Sequence, residues 1–313
     1  MREELIISGR NNPFIDPNLN IWHLEIPIYL FLGGLAAGIL FFASYYYLQG
    51  KENDYPTAVK WTPLLVPLFL IIGLVALFLD LKHKLYFWQL YTTIRLESPM
   101  SWGAWVLMIV TPVSILWSAT YIREFFPKWD WKFMWLKDLE GFFIKKRRIL
   151  AWILVVSSLV LGVYTGILMS AFNARPLWNT SVLGLLFLAS GLSSGAALIT
   201  MLSKNPTERK LFNKIDLAVI VIEIFLIIHM FMGFLASTEV QIQAAKLFLG
   251  GPYTIPFWVF TVFIGIIVPA FLEILELKKF HIPVYIPGIL ILFGGIMFRI
   301  ILIYAGQASR YLY

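Results

Sequence analysis

The stretch IPIYLFLGGLAAGILFFASYYYL, from Ile26 to Leu48, contains no charged side chain. As a helix that rises about 1.5 Å per residue, a segment of this length crosses the ~30 Å hydrocarbon core of a bilayer. The whole chain has the same character, because 59% of its residues are hydrophobic and 14% are charged, whereas about 25% are charged in soluble domains. The sequence therefore predicts an all-α, polytopic membrane protein and excludes a soluble enzyme.

Seven further apolar windows of membrane-spanning length follow the first, which makes eight predicted transmembrane helices. Residues 1–14 contain no apolar stretch of signal-peptide length, so we expect no cleaved signal and an insertion signal in the first helix. The further windows cover residues 61–79, 101–122, 149–171, 181–203, 216–238, 255–277 and 284–304.

The basic residues are unevenly distributed over the predicted loops. The chain has a net charge of +7, and most of its lysines and arginines lie in the loops after the first, third, fifth and seventh helices, with the largest cluster at Lys145 to Arg148. Loops rich in Lys and Arg stay on the cytoplasmic side. We therefore predict a multi-pass protein of the cell inner (cytoplasmic) membrane with both termini extracytoplasmic. Its basic residues are predicted to contact membrane lipid and not nucleic acid.

Two glycine motifs indicate an internal repeat. FLGGLAAG at 31–38 in the first predicted helix and FLASGLSSG at 187–195 in the fifth share a Gly-Leu-x-x-Gly core, and YTG and YAG close the fourth and eighth helices. Four helices per half preserve chain direction, so the halves are predicted to be parallel repeats, with a first four-helix bundle in residues 1–175 and a second in residues 176–313. The alternative is coincidence between small-residue motifs that are common in membrane helices.

The sequence gives little support to metal or haem chemistry inside this chain. There is no cysteine, which excludes iron–sulfur ligation by this polypeptide. Of the four histidines, no two lie at matching depth on facing predicted helices, as a bis-histidine haem requires. We expect no haem, no iron–sulfur cluster and no metal site in the chain itself.

Polar residues collect at the outer end of the first half. Charged groups at such positions are costly unless they pair, snorkel or face a cavity, and aromatic residues there can simply form an interfacial belt. A structural salt bridge is the alternative for the carboxylates. A quinone head group suits the set, because its carbonyls need hydrogen-bond donors and its turnover needs protons, which Tyr and His can supply. The residues are His23, Glu25, Tyr29, Asp80, Tyr164, Arg175 and Trp178.

Four charged or titratable residues lie within the predicted helices of the second half. Glu223 and His229 are on the sixth helix, Glu273 is on the seventh and Arg299 is on the eighth. Their depths would let protons step from the cytoplasm toward the outer quinone site. The alternative is a scaffold of buried pairs, because structural networks perturb acidities as relays do.

Five motifs, in order across nearly the whole chain, resemble the NrfD family, the integral membrane subunits typified by polysulfide reductase. The resemblance is specific and agrees with the eight predicted helices and the internal duplication. The motifs are WHLEIPIYLFLGGLAAG (22–38), ESPMSWGAW (97–105), YTGILMSAFNARPLW (164–178), LFLASGLSSGAAL (186–198) and FRIILIYAGQAS (298–309).

The resemblance implies a function that this chain would perform only in part. It implies menaquinone or another quinone bound in the first bundle, close to a ferredoxin-like partner subunit with four [4Fe–4S] clusters. It also implies a separate catalytic subunit, with a molybdopterin or a multihaem cytochrome. This chain would then carry the quinone half-reaction of a respiratory oxidoreductase, while the terminal substrate is set by a different polypeptide.

The resemblance also assigns roles to individual residues. Tyr164 resembles the family tyrosine at the quinone head. Tyr29 occupies the position where the polysulfide reductase subunit has a histidine, so either Tyr29 or His23 would make the second contact. Asp80 resembles an acidic residue that could accept or release quinone protons, and Arg175 resembles an arginine that could hold a carboxylate or shape the rim of the site.

Two other classes of function stay open at this point. The protein could be a redox-inactive membrane anchor of such a complex, or a proton- or ion-translocating module. Neither alternative explains why polar and aromatic residues gather on one outer face.

Overall fold

A computed structural model describes residues 21–129, 131 and 133–309. Over this part of the chain the structure is helical and contains no strand, and eight helices are long and apolar enough to span a membrane. The prediction of an all-α membrane protein with eight such helices is confirmed. The helices are α1 (Glu25–Leu48), α2 (Thr57–Asp80), α3 (Pro99–Ala119), α4 (Arg147–Ser170), α5 (Val182–Leu202), α6 (Pro206–Leu235), α7 (Pro256–Leu277) and α8 (Tyr285–Ala308).

The largest difference from the predicted boundaries is at α6, which begins at Pro206 and not near residue 216. A hydropathy window misses this first part because it is polar. Local capping starts the helix there: the side chain of Asn205 accepts a hydrogen bond from the backbone N–H of Thr207 at 3.0 Å, and proline is favoured in the first turn. Buried Glu208 accepts hydrogen bonds from Ser203 Oγ and from the Ala58 N–H, which ties this turn to the start of α2.

Two of the membrane helices are irregular. α2 begins with π-helical turns at Thr57–Trp61 and a 3₁₀ turn at Thr62–Leu65 before it continues as a regular α-helix. α7 is π-helical over Pro256–Ile267. In α2, Pro63 removes a backbone donor from the normal ladder. The Thr62 hydroxyl donates to the Ala58 carbonyl at 3.3 Å and the Trp117 indole N–H donates to the Val59 carbonyl at 3.1 Å, so the acceptors one turn before Pro63 are satisfied.

The two glycine motifs lie against each other where α1 crosses α5. A Cβ atom added at Gly191 would lie 2.7 Å from the Gly34 carbonyl oxygen, and one added at Gly38 would overlap the Gly191 carbonyl. Such close backbone contact is possible only with glycine on both helices. α1 also packs on α2 and α4, and α5 on α4, α6 and α8. The division into two repeated four-helix bundles stays a prediction.

At one end of the membrane region, α1 and α3 begin and α2 and α4 terminate. We call it the site end. There the connection between α2 and α3 folds back as a 3₁₀ turn, Lys84–Tyr86, and a short helix, Gln89–Thr92, which packs on α3. The Trp102 indole N–H of α3 donates to the Leu96 carbonyl at 2.8 Å and holds this connection down. Residues 1–20 and 310–313, which include the predicted uncleaved N-terminus and parts of both predicted bundles, lie outside the described residues.

Candidate functional site

A cavity of about 310 Å³ opens at the site end between α1, α2, α3, α4 and the α2–α3 connection. Its volume is at the lower limit of the range of about 300–1,000 Å³ that is usual for small-molecule sites. The wall is mostly aliphatic, and its polar groups come from a few side chains. We call it the tyrosine cavity, because it is lined by Tyr29, Tyr91 and Tyr164, together with Trp22 and Asp80.

Two of the tyrosines form the centre of the cavity. Tyr29 of α1 is 5% exposed and Tyr164 of α4 is 7% exposed, and their hydroxyl groups interact with each other. The structure therefore brings together the two residues that the sequence placed on different helices. A pair of phenols in an aliphatic wall can donate hydrogen bonds to a carbonyl that reaches the cavity.

The third tyrosine was missed by the sequence reasoning. Tyr91 lies in the short helix of the α2–α3 connection and is within electrostatic reach of Tyr29. Burial raises the pKa of Tyr91 above its ordinary value, so its hydroxyl is a neutral hydrogen-bond donor at physiological pH. In the sequence, an aromatic residue next to a membrane helix is typical of an interfacial belt, and only the fold of the connection turns it toward the cavity.

The position of Tyr164 depends on a glycine of α3. A Cβ atom added at Gly103 would overlap the ring and the hydroxyl of Tyr164. The tyrosine ring thus lies flat against bare backbone, in the space that any larger residue would fill. Gly103 belongs to the motif ESPMSWGAW, but the sequence alone did not indicate that this glycine supports the site.

The predicted acidic and imidazole groups lie at the mouth of the cavity. Asp80, at the end of α2, is half-buried and lines the cavity, with Glu25 and His23 within electrostatic reach. One carboxylate oxygen of Glu25 is buried and has no hydrogen-bond partner. His23 is exposed and is not part of the lining, so Tyr29 and not His23 reaches the cavity next to Tyr164.

Arg175 and Trp178 lie outside the cavity lining. Arg175 Nη1 donates to the carbonyls of Gln307, at 3.1 Å, and Ser309, at 2.8 Å. The Trp178 indole N–H donates to the Leu302 carbonyl, and its ring stacks on Trp22 with 5.3 Å between ring centroids. Both residues join the α4–α5 turn to the end of α8, and their contact with the cavity is indirect.

Gln307 connects the end of α8 to the cavity wall. Its side-chain oxygen accepts hydrogen bonds from the Ile21 and Trp22 N–H groups at 2.8 and 2.9 Å, and its amide nitrogen donates to the Trp22 carbonyl. The end of α8 therefore holds the segment that places Trp22 at the cavity. Although Gln307 lies in the second half of the chain, it supports the site in the first half.

A second polar cluster lies within the membrane region between α5, α6, α7 and α8. Buried Arg299 donates from Nη1 to the Ser190 hydroxyl at 2.6 Å and to the Gly295 carbonyl at 2.9 Å, and it interacts electrostatically with Glu223. Glu223 also interacts with Ser190. The cluster thus brings together Glu223 and Arg299, two of the four residues of the predicted path.

Two buried carboxyl groups continue the cluster toward the opposite end. Asp216 and Glu273 lie within electrostatic reach of each other, and Asp216 also interacts with Ser193, but neither carboxylate oxygen of Asp216 has a hydrogen-bond partner. Nearer that end, Asn213 Nδ2 donates to Glu276 Oε2 at 2.9 Å. Asp216 was missed because the predicted helix began there. The signal was present, since Asp216 precedes Glu223 by two helical turns and shares its face.

His229 does not join this cluster. Its side chain is exposed on the surface of α6 and stacks on Phe225, with 6.0 Å between ring centroids. Glu223, on the same helix, is buried and faces α5 and α8. The helical offset between the two residues therefore directs them to different sides of α6.

The family described as polysulphide reductase, NrfD, matches residues 12–309. The chain belongs to the NrfD family. It is 31% identical over 305 residues to the protein NrfD of Escherichia coli, which covers 92% of this chain and 96% of that one. It is 30% identical to the C subunit of polysulfide reductase from Wolinella succinogenes, over 93% of this chain and 95% of the relative. An NrfD homolog of Haemophilus influenzae is 30% identical, with 95% and 97% covered.

The family membership confirms the resemblance inferred from the five motifs. As an NrfD family chain with eight apolar helices, it is an integral membrane protein. The matched region contains both polar regions described above, the tyrosine cavity at the site end and the carboxyl cluster between α5 and α8.

Proposed function

We propose that this chain is the quinone- or quinol-reacting membrane subunit of a respiratory oxidoreductase. The observation that carries the proposal is the tyrosine cavity, in which Tyr29, Tyr91 and Tyr164 lie in a mostly apolar wall that also includes Asp80 and Lys82. The residues fit a quinone head group, because a flat apolar ring needs an aliphatic cavity and its carbonyls need donors that stay neutral.

Each side chain has a defined task in this proposal. The bound quinone, menaquinone or a relative, supplies a two-electron, two-proton couple. Tyr29 and Tyr164 hold and orient its carbonyl groups through their hydroxyls, and the aliphatic wall excludes water. Asp80, half-buried between the cavity and exposed His23, takes up or releases protons. The same groups serve quinone reduction and quinol oxidation, because the hydroxyls can donate or accept a hydrogen bond and Asp80 can take up or release a proton.

We propose that the electrons are exchanged with a separate subunit. The Wolinella succinogenes relative is named as one lettered component of polysulfide reductase, which supports membership in a multi-subunit complex. The partner is proposed to be a ferredoxin-like iron–sulfur subunit with four clusters, connected to a molybdopterin or multihaem cytochrome catalytic subunit. Copurification with a cysteine-rich iron–sulfur polypeptide tests this assembly.

The test of the quinone proposal is Tyr164→Phe, which removes one hydroxyl and keeps the ring on Gly103. We expect a loss of about 1–3 kcal/mol, the range for an unpaired buried hydrogen-bonding group, or about 5- to 160-fold in kcat/KM for quinone-linked turnover. The matched control is Tyr46→Phe, a buried tyrosine at the opposite end of α1. Unchanged kinetics with Tyr164→Phe would favour the redox-inactive anchor.

The carboxyl cluster supports a second proposal, a proton path from the opposite end toward the site end. Asn213 hydrogen-bonds to Glu276, Glu276 and Asp216 are each within electrostatic reach of Glu273, and Asp216 is within electrostatic reach of Glu223. Buried ionisable groups in membrane helices commonly mark such paths. The path predicted from the sequence includes His229, but its exposed position makes Asp216 the better member. The alternative is a scaffold that holds α5 to α8 together.

Glu223→Gln decides between path and scaffold, because it keeps shape and hydrogen bonding and removes the titratable proton. In proteoliposomes a path predicts slower quinone turnover or lost proton uptake from the cytoplasmic side, with normal assembly. His229→Gln is the control on the same helix and is expected to change neither. Normal uptake and rate in Glu223→Gln would assign the cluster to the scaffold.

We propose that the site end faces the extracytoplasmic side, as the loop charges predict. A cysteine at Lys146 should then react with impermeant thiol reagents only from the cytoplasmic side, and a cysteine at Asn12, which lies outside the described residues, only from the other side. The reverse labelling pattern would place the quinone site at the inner face.

A further inference from the structure

Two lipid-facing grooves flank the tyrosine cavity. The first, which we call the α2 groove, has a volume of about 280 Å³ and lies between the second half of α2 and the α2–α3 connection. The second, the α3–α4 groove, has a volume of about 590 Å³ and lies between those two helices. Either groove could accept a long apolar chain by its size, so the connection of each groove to the cavity decides between them.

The α2 groove is continuous with the tyrosine cavity. Leu77, Leu81, Leu90 and Tyr91 line both spaces. Leu77 and Leu81 are one helical turn apart, at the end of α2, and face Leu90 and Tyr91 of the connection. These residues therefore form a short apolar passage from the cavity to the lipid-facing surface of α2.

The α3–α4 groove is separated from the cavity by a tyrosine ring. Among the described residues, Tyr164 is the one side chain that lines both spaces. Its ring lies against the backbone of Gly103 and fills the gap between α3 and α4. A tail that left the cavity on this side would have to displace a buried ring that the proposed function needs in place.

We infer that the α2 groove holds the isoprenoid tail of the quinone, which leaves the tyrosine cavity between Leu77 and Leu90 and lies along α2 toward the bilayer centre. This inference rests on the proposed function. The groove is lined further along α2 by Ile71, Leu74, Val75 and Phe78. Lipid is as apolar as these side chains, so the tail gains little hydrophobic free energy in the groove. What the groove supplies is position, because a held tail raises the effective concentration of the head group beside the tyrosines.

Two matched valines test the inference in membranes that contain the native complex. Val75 lines the α2 groove and is 50% exposed, and Val160 lines the α3–α4 groove and is 41% exposed. Val75→Trp should raise the KM for a long-tailed menaquinol by about fivefold or more, because uniform binding is lost, and leave kcat near wild type. The KM for menadiol, which has no tail, should not change. Val160→Trp should change neither value.

The reverse result, with the effect in Val160→Trp alone, would overturn the inference and assign the tail to the α3–α4 groove. An equal rise for menadiol in Val75→Trp would also overturn it, because the head cavity itself would then be damaged. Failure of the proposed function has a different signature: Tyr164→Phe turns over both quinols at the wild-type rate.

A readout that does not depend on turnover is photolabelling. A menaquinone with a photoreactive group on its second isoprene unit should label residues 71–78 of α2, and Val75→Trp should reduce that labelling. Labelling of residues 159–167 of α4, or equal labelling of all lipid-facing helices, would contradict the assignment.

Discussion

The tyrosine cavity and the carboxyl cluster place polar groups in the membrane region in two different ways. In the cavity the polar groups are mainly neutral hydroxyls, and the carboxylate of Asp80 lies at the half-exposed mouth. In the cluster, Asp216, Glu223 and Glu273 are buried, with Arg299 and Ser190 next to Glu223 and Ser193 next to Asp216. Because an isolated charge in hydrocarbon is costly, deep carboxyl groups need internal partners, whereas groups at the boundary can face a cavity.

This difference suggests a division of work between the two regions. Hydroxyl groups in an open cavity can bind a neutral ligand without changing charge, while clustered carboxyl groups can pass protons among themselves. The cavity should therefore be sensitive to shape and hydroxyl groups, and the cluster to charge balance. The following variants test the contrast, beginning with the largest expected effect.

Removal of the cation from the carboxyl cluster should have the largest effect. Arg299→Met leaves Glu223 buried without the nearby cation and removes the hydrogen bonds that Arg299 donates to Ser190 and Gly295, and buried groups left uncompensated in this way cost about 3 kcal/mol or more. We expect poor assembly and a large fall in the thermal transition of the detergent-purified protein. The double variant Arg299→Met/Glu223→Gln removes both charges and should recover much of the loss. If the single and double variants are equally unstable, charge balance is not what the cluster requires.

Gly38→Ala should disturb both regions, because α1 lines the tyrosine cavity, α5 lines the carboxyl cluster, and the two helices cross at this residue. The added methyl group meets the Gly191 backbone, which cannot rotate away, and we expect a loss of about 1–3 kcal/mol for overpacking. Gly33→Ala is the control on the same helix, with nothing within 4 Å of the added Cβ. Thermal unfolding of both variants checks the prediction, and equal stability would contradict the close crossing.

Gly103→Ala should affect the cavity alone. The methyl group displaces the Tyr164 ring, so we expect a loss of quinone-linked turnover similar to that of Tyr164→Phe, about 1–3 kcal/mol, while the carboxyl cluster and the proton uptake per quinone stay unchanged. Gly233→Ala in α6, where the added Cβ meets open space, is the control. Wild-type kinetics in Gly103→Ala would show that the exact position of the ring does not matter.

Tyr91→Phe should have the smallest effect, about 0.5–1.5 kcal/mol in kcat/KM, the net value of one hydrogen bond. Because burial keeps the pKa of Tyr91 above its ordinary value, the hydroxyl is protonated throughout the physiological range. The ratio of wild-type to variant activity should thus be constant between pH 6 and 9. Tyr86→Phe, in the same connection but exposed and outside the cavity lining, is the control. A ratio that changes across this range would mean that Tyr91 titrates.

Much of the fold could be predicted from the sequence, because helices in a bilayer satisfy their own backbone and leave long apolar windows. The start of α6 was predicted incorrectly, because the first residues of this helix are polar and fall outside the apolar window. For the site, Tyr29, Asp80 and Tyr164 were predicted by position at helix ends and lie together. Tyr91 was missed because the irregular path of the α2–α3 connection cannot be predicted from the sequence. Asp216 was missed because the start of the sixth helix was predicted at the wrong residue.

The sequence by itself determined the membrane class, the eight helices, the close-packing glycine motifs and the family, all of which depend on composition and on order along the chain. Only the tertiary structure decided which side chains meet. In the tertiary structure the Gly34 and Gly191 motifs contact each other, and Arg175 and Trp178 bind the end of α8. His229 lies on the surface, and Tyr91 lines the cavity. The physical reason is that hydropathy specifies how deep a residue lies, whereas the side of the helix that it faces depends on how neighbouring helices pack.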